Sequence, residues 1–113
     1  TESSFWCSKT GETEAQDITY DLACPEGIQS VQLLAPGDTS APHECSLYCS
    51  AKTTGFTRVL DFELRPDKGR WQTFRVYFPG RARYWKLTMH NNHGSTTNMS
   101  LHACIFVRAQ GGM

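Results

Sequence analysis

The chain has 113 residues, which is enough for one domain and leaves no room for a second hydrophobic core. Its 39% apolar content argues against disorder, and no apolar run approaches the ~20 residues needed to span a bilayer. The 11 basic and 11 acidic residues cancel, which removes the simplest case for a nucleic-acid-binding protein.

No segment of useful length has helical periodicity. What recurs is short runs of β-branched and aromatic residues between turn residues. In chain order, strands are predicted over residues 17–22, 28–35, 44–51, 57–64, 71–78, 83–92 and 101–107. Seven strands, separated by turn signals every 8–14 residues, predict an all-β fold: an antiparallel β-sandwich of the jelly-roll type.

Alternation along these strands predicts which side chains are buried. In the strand over residues 83–92, Trp85, Leu87 and Met89 share one face, which we expect to lie in the core. The same reasoning extends the predicted core to four further side chains, Trp6, Cys45, Leu47 and Cys49. Trp71 follows a turn, so its side chain is the tryptophan expected at the surface.

The five cysteines stand at positions 7, 24, 45, 49 and 104, and their spacing matches no zinc framework. Reduced, buried cysteines would favour an intracellular, cytoplasmic location. One or two disulfides would instead favour an extracellular one. The N-terminus has no initiator methionine or signal peptide, so we expect an excised domain or a processed product.

Three local patterns occur in a suggestive order. They are FWCSKTG (5–11) followed by ITYDL (18–22), then WQTF (71–74), and finally RYWKL (83–87) with NHG (92–94). This order resembles the galactose-binding-like or discoidin superfamily, which includes the coagulation-factor C domains. The nearest resemblance is to intracellular relatives such as the Doc domain of the anaphase-promoting complex. The resemblance implies that residues 1–113 form one jelly-roll domain that lacks the usual first strand.

The resemblance also bears on ligands. Some relatives bind calcium through an aspartate ahead of the first motif, and this chain has no such aspartate, so neither a metal nor another cofactor is predicted. In the carbohydrate-binding relatives, His, Arg, Asn and aromatic side chains of the end loops contact the ligand. The corresponding candidates here are Trp71, Arg81, Arg83, His90, Asn92 and His93. The composition of the loop over residues 91–95 is also typical of plain turn chemistry, which is the alternative to ligand recognition.

We expect a binding module and not an enzyme, because the chain has no G-x-S-x-G elbow and no H-E-x-x-H helix. The main hypothesis is a protein-interaction domain of a larger intracellular protein. The alternative is a lectin-like carbohydrate-binding module that uses the loops at one end of the sandwich. The expected partner is therefore a protein or a glycan, without nucleic acid or membrane insertion, and an open sheet edge could pair with a second copy.

Overall fold

The computed structural model describes residues 6–7 and 15–109, with the backbone alone for residues 6–7. The described residues form nine strands and no helix: β1 (Trp6–Cys7), β2 (Gln16–Glu26), β3 (Ile28–Leu34), β4 (Glu44–Ser50), β5 (Thr57–Glu63), β6 (Trp71–Arg75), β7 (Ala82–Met89), β8 (Ser100–Leu101) and β9 (Ala103–Arg108). None of these residues belongs to a helix long and apolar enough to cross a membrane.

The strands form two larger sheets and one short ribbon. One sheet has the order β2-β7-β4-β5, the other has the order β6-β3-β9, and β1 pairs with β8. Every pairing between described strands is antiparallel. Both sheets contribute to one buried cluster, so the prediction of an all-β antiparallel sandwich is confirmed.

The core contains the faces predicted from alternation. Trp85, Leu87 and Met89 are all fully buried on β7. On the neighbouring strand β4, the buried apolar side chains are those of Cys45, Leu47 and Cys49. The predicted burial of Trp6 concerns a side chain that lies outside the described residues.

Several strand bounds differ from the prediction. Strand β2 runs to Glu26 and not to residue 22, and β7 ends at Met89 and not at residue 92. The predicted strand over residues 71–78 ends at Arg75, although the Val76 N–H still donates to the Gln29 carbonyl at 2.9 Å. The final strand β9 pairs with β3 from Leu34↔Ala103 to Ile28↔Arg108, and among the described residues it forms one edge of its sheet. A single sequence carries no signal for such a long-range pairing.

Strand β2 lies at the edge of the four-stranded sheet formed by the described residues, and it is interrupted. Its pairing with β7 is regular as far as Asp21↔Tyr84 and resumes at Glu26↔Ala82. Between these points Ala23 has φ 71°, in the left-handed region that residues other than glycine rarely adopt. The Asp21 carboxylate accepts a hydrogen bond from the Ala23 N–H at 2.8 Å, which supports this irregular turn.

The connections over residues 35–43 and 90–99 meet at one end of the sandwich, which we call the loop end. Pro42 and Asn92 form a β-bridge there. The His93 N–H donates to the carbonyls of both Thr39 and Ala41 at 3.1 Å. The Leu34 carbonyl accepts from the His102 N–H at 2.9 Å, so the end of β3 belongs to the loop end as well.

Candidate functional site

The six candidate residues do not form one cluster. Arg81 and Arg83 lie at the start of β7, whereas His90 follows its last residue. Seven residues of extended chain separate Arg83 from His90, which corresponds to about 23 Å. Asn92 and His93 lie at the loop end with His90, and Trp71 begins β6 opposite Leu34, at the same end of the molecule.

Arg83 is engaged in an ion pair. Its Nε and Nη2 donate to the two carboxylate oxygens of Asp21 at 2.7 and 2.9 Å, and its guanidinium lies 5.0 Å from the centroid of the Tyr84 ring. The hydrogen bond from Arg83, assisted by the Ala23 N–H, lowers the pKa of Asp21 to about 2. Arg83 therefore ties β2 to β7, while Arg81 is an exposed side chain in the preceding turn.

Asn92 holds the long loop at the loop end in its conformation. Its side-chain amide donates to the carbonyls of Ser95 and Asn98 at 3.0 and 2.9 Å. Its Oδ1 accepts from the N–H of Gly94 at 2.9 Å, where Gly94 has φ 121°. The turn chemistry considered for this loop is therefore present.

His93 connects the same loop to the end of β5. Its Nε2 lies 2.6 Å from the carbonyl oxygen of the buried Leu64, which can only accept, so Nε2 carries the proton. Its ring packs on that of His43 with centroids 4.4 Å apart. His43 in turn lies 3.4 Å from the carboxylate of Glu63.

The side chain of His90 belongs to a hydrogen-bonded chain of polar side chains that crosses the neighbouring strands. Its Nε2 lies 2.8 Å from the Oγ of Ser46, and the same Oγ donates to the Asp61 carboxylate at 2.6 Å. Ser46 has one proton and gives it to Asp61, so the Nε2 of His90 is the donor in its own contact with Oγ. The three side chains form a relay from β7 through β4 to β5, and Ser46 at its centre is buried.

This relay forms part of a groove of about 460 Å³ on the outer face of the four-stranded sheet. The polar lining comes from six residues, Glu44, Ser46, Arg58, Asp61, Glu63 and His90. The Glu44 carboxylate accepts from the Asn91 amide at 2.6 Å, and Arg58 lies 3.7 Å from Asp61. The lining groups are therefore held in position by their neighbours, with acceptors and donors side by side.

The relay differs from a nucleophilic triad. A catalytic serine donates its hydroxyl proton to a histidine, which is oriented by a carboxylate. Here the hydroxyl of Ser46 donates directly to Asp61, and the imidazole of His90 donates to the hydroxyl. Among residues 15–109, no group of three or more His, Cys, Asp or Glu side chains is arranged to hold a metal ion.

Trp71 is exposed, as the sequence predicts, with 44% of its surface accessible. The other large apolar side chain that stays exposed in the described part of the chain is Tyr77, at 79%. Tyr77 was not a candidate, although it has the same strand parity as Trp71. Ser46 was not a candidate either. Its contacts with Asp61 and His90 join different strands, so the local sequence pattern does not indicate them.

The cysteines divide by burial. Cys45 and Cys49 are buried free thiols, and Cys24 is an exposed one. Burial raises the pKa of Cys45 and of Cys104 to about 12. The side chain of Cys7 lies outside the described residues.

No protein-family model and no curated protein matches the chain, but solved structures do. A truncated AlyQ with CBM32 and alginate lyase domains has 20% identity and a TM-score of 0.73 over 96% of this chain, which spans only 27% of that protein. CpGH89CBM32-5 from Clostridium perfringens, in complex with GalNAc-β-1,3-galactose, has 19% identity and a TM-score of 0.75, with 91% and 74% of the two chains covered. CBM32-1 from a family 31 glycoside hydrolase of the same organism has 18% identity and a TM-score of 0.73, with 93% and 77% covered.

These similarities define the fold class. The chain has the galactose-binding-like, discoidin-type β-sandwich fold found in CBM32 carbohydrate-binding modules. The resemblance stated from the three sequence motifs is thereby confirmed, and the comparison with the Doc domain is secondary.

The expectation of an intracellular, cytoplasmic location is wrong. The similar structures are modules of glycoside hydrolases and of an alginate lyase, and not the intracellular relatives, such as the Doc domain, on which the expectation drew. The expectation relied on reduced cysteines. Buried thiols such as Cys45 and Cys49 behave as small apolar core residues, so their presence says little about the compartment.

Proposed function

We propose that this domain is a carbohydrate-binding module that takes a sugar in the groove on the outer face of β4 and β5. The observation that carries the proposal is the His90–Ser46–Asp61 relay, which fixes donors and acceptors in an open cavity of about 460 Å³. The fold supports the lectin-like alternative better than the protein-interaction module, because the similar structures are carbohydrate-binding modules.

The chemistry of the groove suits a polyhydroxylated ligand. A sugar hydroxyl both donates and accepts hydrogen bonds, so it needs acceptors and donors close together. The carboxylates of Asp61 and Glu63 accept, and the guanidinium of Arg58 donates. Because Glu44, Asp61 and His90 are already hydrogen-bonded to protein groups, little side-chain freedom is lost when the ligand binds.

The proposal is of a binding module without catalysis. The Ser46 hydroxyl is buried and donates to a carboxylate, which leaves it neither exposed nor activated as a nucleophile. The similar structures, as modules attached to catalytic domains, support the same assignment.

The proposal gives different roles to the candidate residues that the sequence predicted. It places His90 in the sugar site. It gives Asn92 and His93 the role of positioning the loop end, and Arg83 the role of holding β2 to β7, because these side chains bond to protein groups and do not line the groove. Arg81 lies at the opposite end of β7 from the groove.

The test is NMR titration of the labelled domain with galactose, N-acetylgalactosamine, glucose and galacturonate. We expect at least one of these sugars to shift the amide signals of residues 44–46, 58–63 and 90. Asp61→Asn should weaken that binding roughly ten- to a hundredfold, since a charged acceptor contributes roughly 1.5–3 kcal/mol. Asp67→Asn is the matched control, because Asp67 pairs with Arg65 outside the groove.

Two results would contradict the proposal. One is the absence of groove shifts with every sugar. The other is unchanged affinity in a folded Asp61→Asn variant, with His90→Ala behaving in the same way.

A further inference from the structure

A row of exposed side chains follows β6 on the opposite sheet from the groove. We call it the β6 strip, and it consists of Trp71, Thr73, Arg75 and Tyr77. All four are exposed, while the intervening Gln72 and Val76 are buried. Tyr77 lies beyond the last strand residue, yet Val76 still pairs with β3 through its N–H bond to the Gln29 carbonyl at 2.9 Å.

The two aromatic side chains of the strip lie on the same side of the sheet. Alternation places Trp71, Arg75 and Tyr77 at positions of one parity, and the guanidinium of Arg75 lies 5.7 Å from the centroid of the Tyr77 ring. Trp71 and Tyr77 are six residues apart, so their Cα atoms are separated by about 20 Å of extended chain. The strip is therefore long enough for several consecutive rings of a linear chain.

The residues that lie beside the middle of the strip on β3 and β9 are uncharged. Thr73 lies opposite Gln32 on β3, which in turn lies opposite Ile105 on β9. Gln32 and Ile105 are partly exposed. Next to the two aromatic side chains, this part of the sheet thus offers amide and hydroxyl groups with aliphatic side chains.

The charged residues within the segment 68–77, which carries the strip, all have one sign. Residues 68–77 contain Lys68, Arg70 and Arg75 and no acidic residue. All three basic residues are exposed. The nearest acidic residue in sequence, Asp67, has its carboxylate 2.9 Å from the Nε of Arg65. The strip therefore favours a negatively charged ligand.

We infer that the β6 strip is a second binding surface, separate from the groove, for a linear acidic polysaccharide built of uronic acids. Trp71 and Tyr77 stack on the C–H faces of two sugar rings of the same chain, and Arg75 pairs with a carboxylate between them. A uronic-acid chain matches both parts of the strip. Its apolar ring faces suit the aromatic side chains, and its regular series of carboxylates suits the basic ones.

The binding test uses a homogalacturonan fragment and the same fragment with its carboxylates methyl-esterified, titrated calorimetrically into the whole domain. We expect the acidic form to bind and the esterified form to bind at least tenfold more weakly. Trp71→Ala and Tyr77→Ala should each weaken binding of the acidic form about tenfold, close to the upper range for one aromatic contact. Arg75→Gln should weaken it and reduce its dependence on salt.

The control variant is Lys52→Gln, an exposed charge in the turn between β4 and β5, which should bind like the wild type. All these variants change exposed side chains, so their melting temperatures should match the wild type, and any loss of binding is then not a loss of folding. Equal binding of the acidic and esterified fragments would overturn the inference. So would unchanged binding by both aromatic variants, or equally tight binding to vesicles containing phosphatidylserine.

The groove variant Asp61→Asn separates this inference from the proposed function. If the Asp61→Asn variant still binds the acidic fragment and the Trp71→Ala variant loses that binding, the result supports a second surface. Loss in Asp61→Asn with no effect of the aromatic variants would place the chain in the groove and overturn the inference while leaving the proposed function intact.

Discussion

The side-chain amide of Gln72 forms two hydrogen bonds with the backbone of Arg65, in the way that the backbones of paired strand residues do. The Oε1 of Gln72 accepts from the Arg65 N–H at 2.8 Å, and its Nε2 donates to the Arg65 carbonyl at 2.7 Å. Gln72 is buried, so its side-chain amide relies on these two bonds. The pairing fixes the chain directly after Leu64, whose carbonyl is bonded to His93.

Replacing Gln72 with alanine should therefore lower the free energy of unfolding by about 1–3 kcal/mol, because two backbone groups lose their partner. Urea denaturation measures the change. Thr73→Ala, at the exposed next position, should remain within about 0.5 kcal/mol of the wild type. An equally stable Gln72→Ala variant would show that water replaces both bonds.

Trp85 lies fully buried between the sheets, and its Nε1 donates to the Ala82 carbonyl at 2.9 Å. Its ring centroid is 6.4 Å from that of Phe78 and 6.2 Å from that of Phe106. Trp85→Ala should cost about 3–5 kcal/mol of unfolding free energy, whereas Trp71→Ala should be nearly neutral. A melting temperature of Trp85→Ala equal to that of Trp71→Ala would contradict this assignment of the core.

The pKa of Asp21 should depend on Arg83. In the wild type, an NMR titration of the carboxyl carbon should give a value of about 2, and in Arg83→Gln the value should rise toward the ordinary 3.8. Because the folded-state pKa is lowered, the pair stabilises the protein above the ordinary pKa, and this contribution is lost as the pH falls through about 2. A value for Asp21 that is unchanged in Arg83→Gln would mean that the Ala23 N–H alone lowers it.

The thiols should react in an order set by burial. Iodoacetamide should label Cys24 in the native protein, because it is exposed, and should leave Cys45 and Cys49 unlabelled until the protein is unfolded. The hydrogen bond to Glu26 raises the pKa of Cys24, so its reaction should be slower than that of a free thiol at neutral pH. Peptide mass spectrometry reads the order, and early labelling of Cys45 would contradict the packed core.

The sequence alone predicts that the fold is a two-layered sandwich of strands. Period-two alternation correctly identified the buried faces of β4 and β7, because each face packs on the core over several residues. It could not predict that β9 pairs with β3, or that β6 ends at Arg75, since those features depend on which distant strand lies alongside.

The candidate site was predicted less well for a related reason. Arg83 and His90 are close in sequence, but an extended strand carries them to opposite ends of the domain. Nothing in the local pattern of its strand distinguishes Asp61 from a solvated carboxylate, and only the register of β4 with β5 brings Ser46 opposite it. Tyr77 could have been found from its shared parity with Trp71.

The irregular turn in β2 has a consequence for solubility. Over its 11 residues this strand presents a long row of backbone groups, which in a flat strand would recruit the edge of another molecule. The left-handed Ala23 interrupts this row of backbone groups. The interruption therefore costs the sheet a few ladder bonds and makes this part of its longest strand a poor template for pairing with another chain.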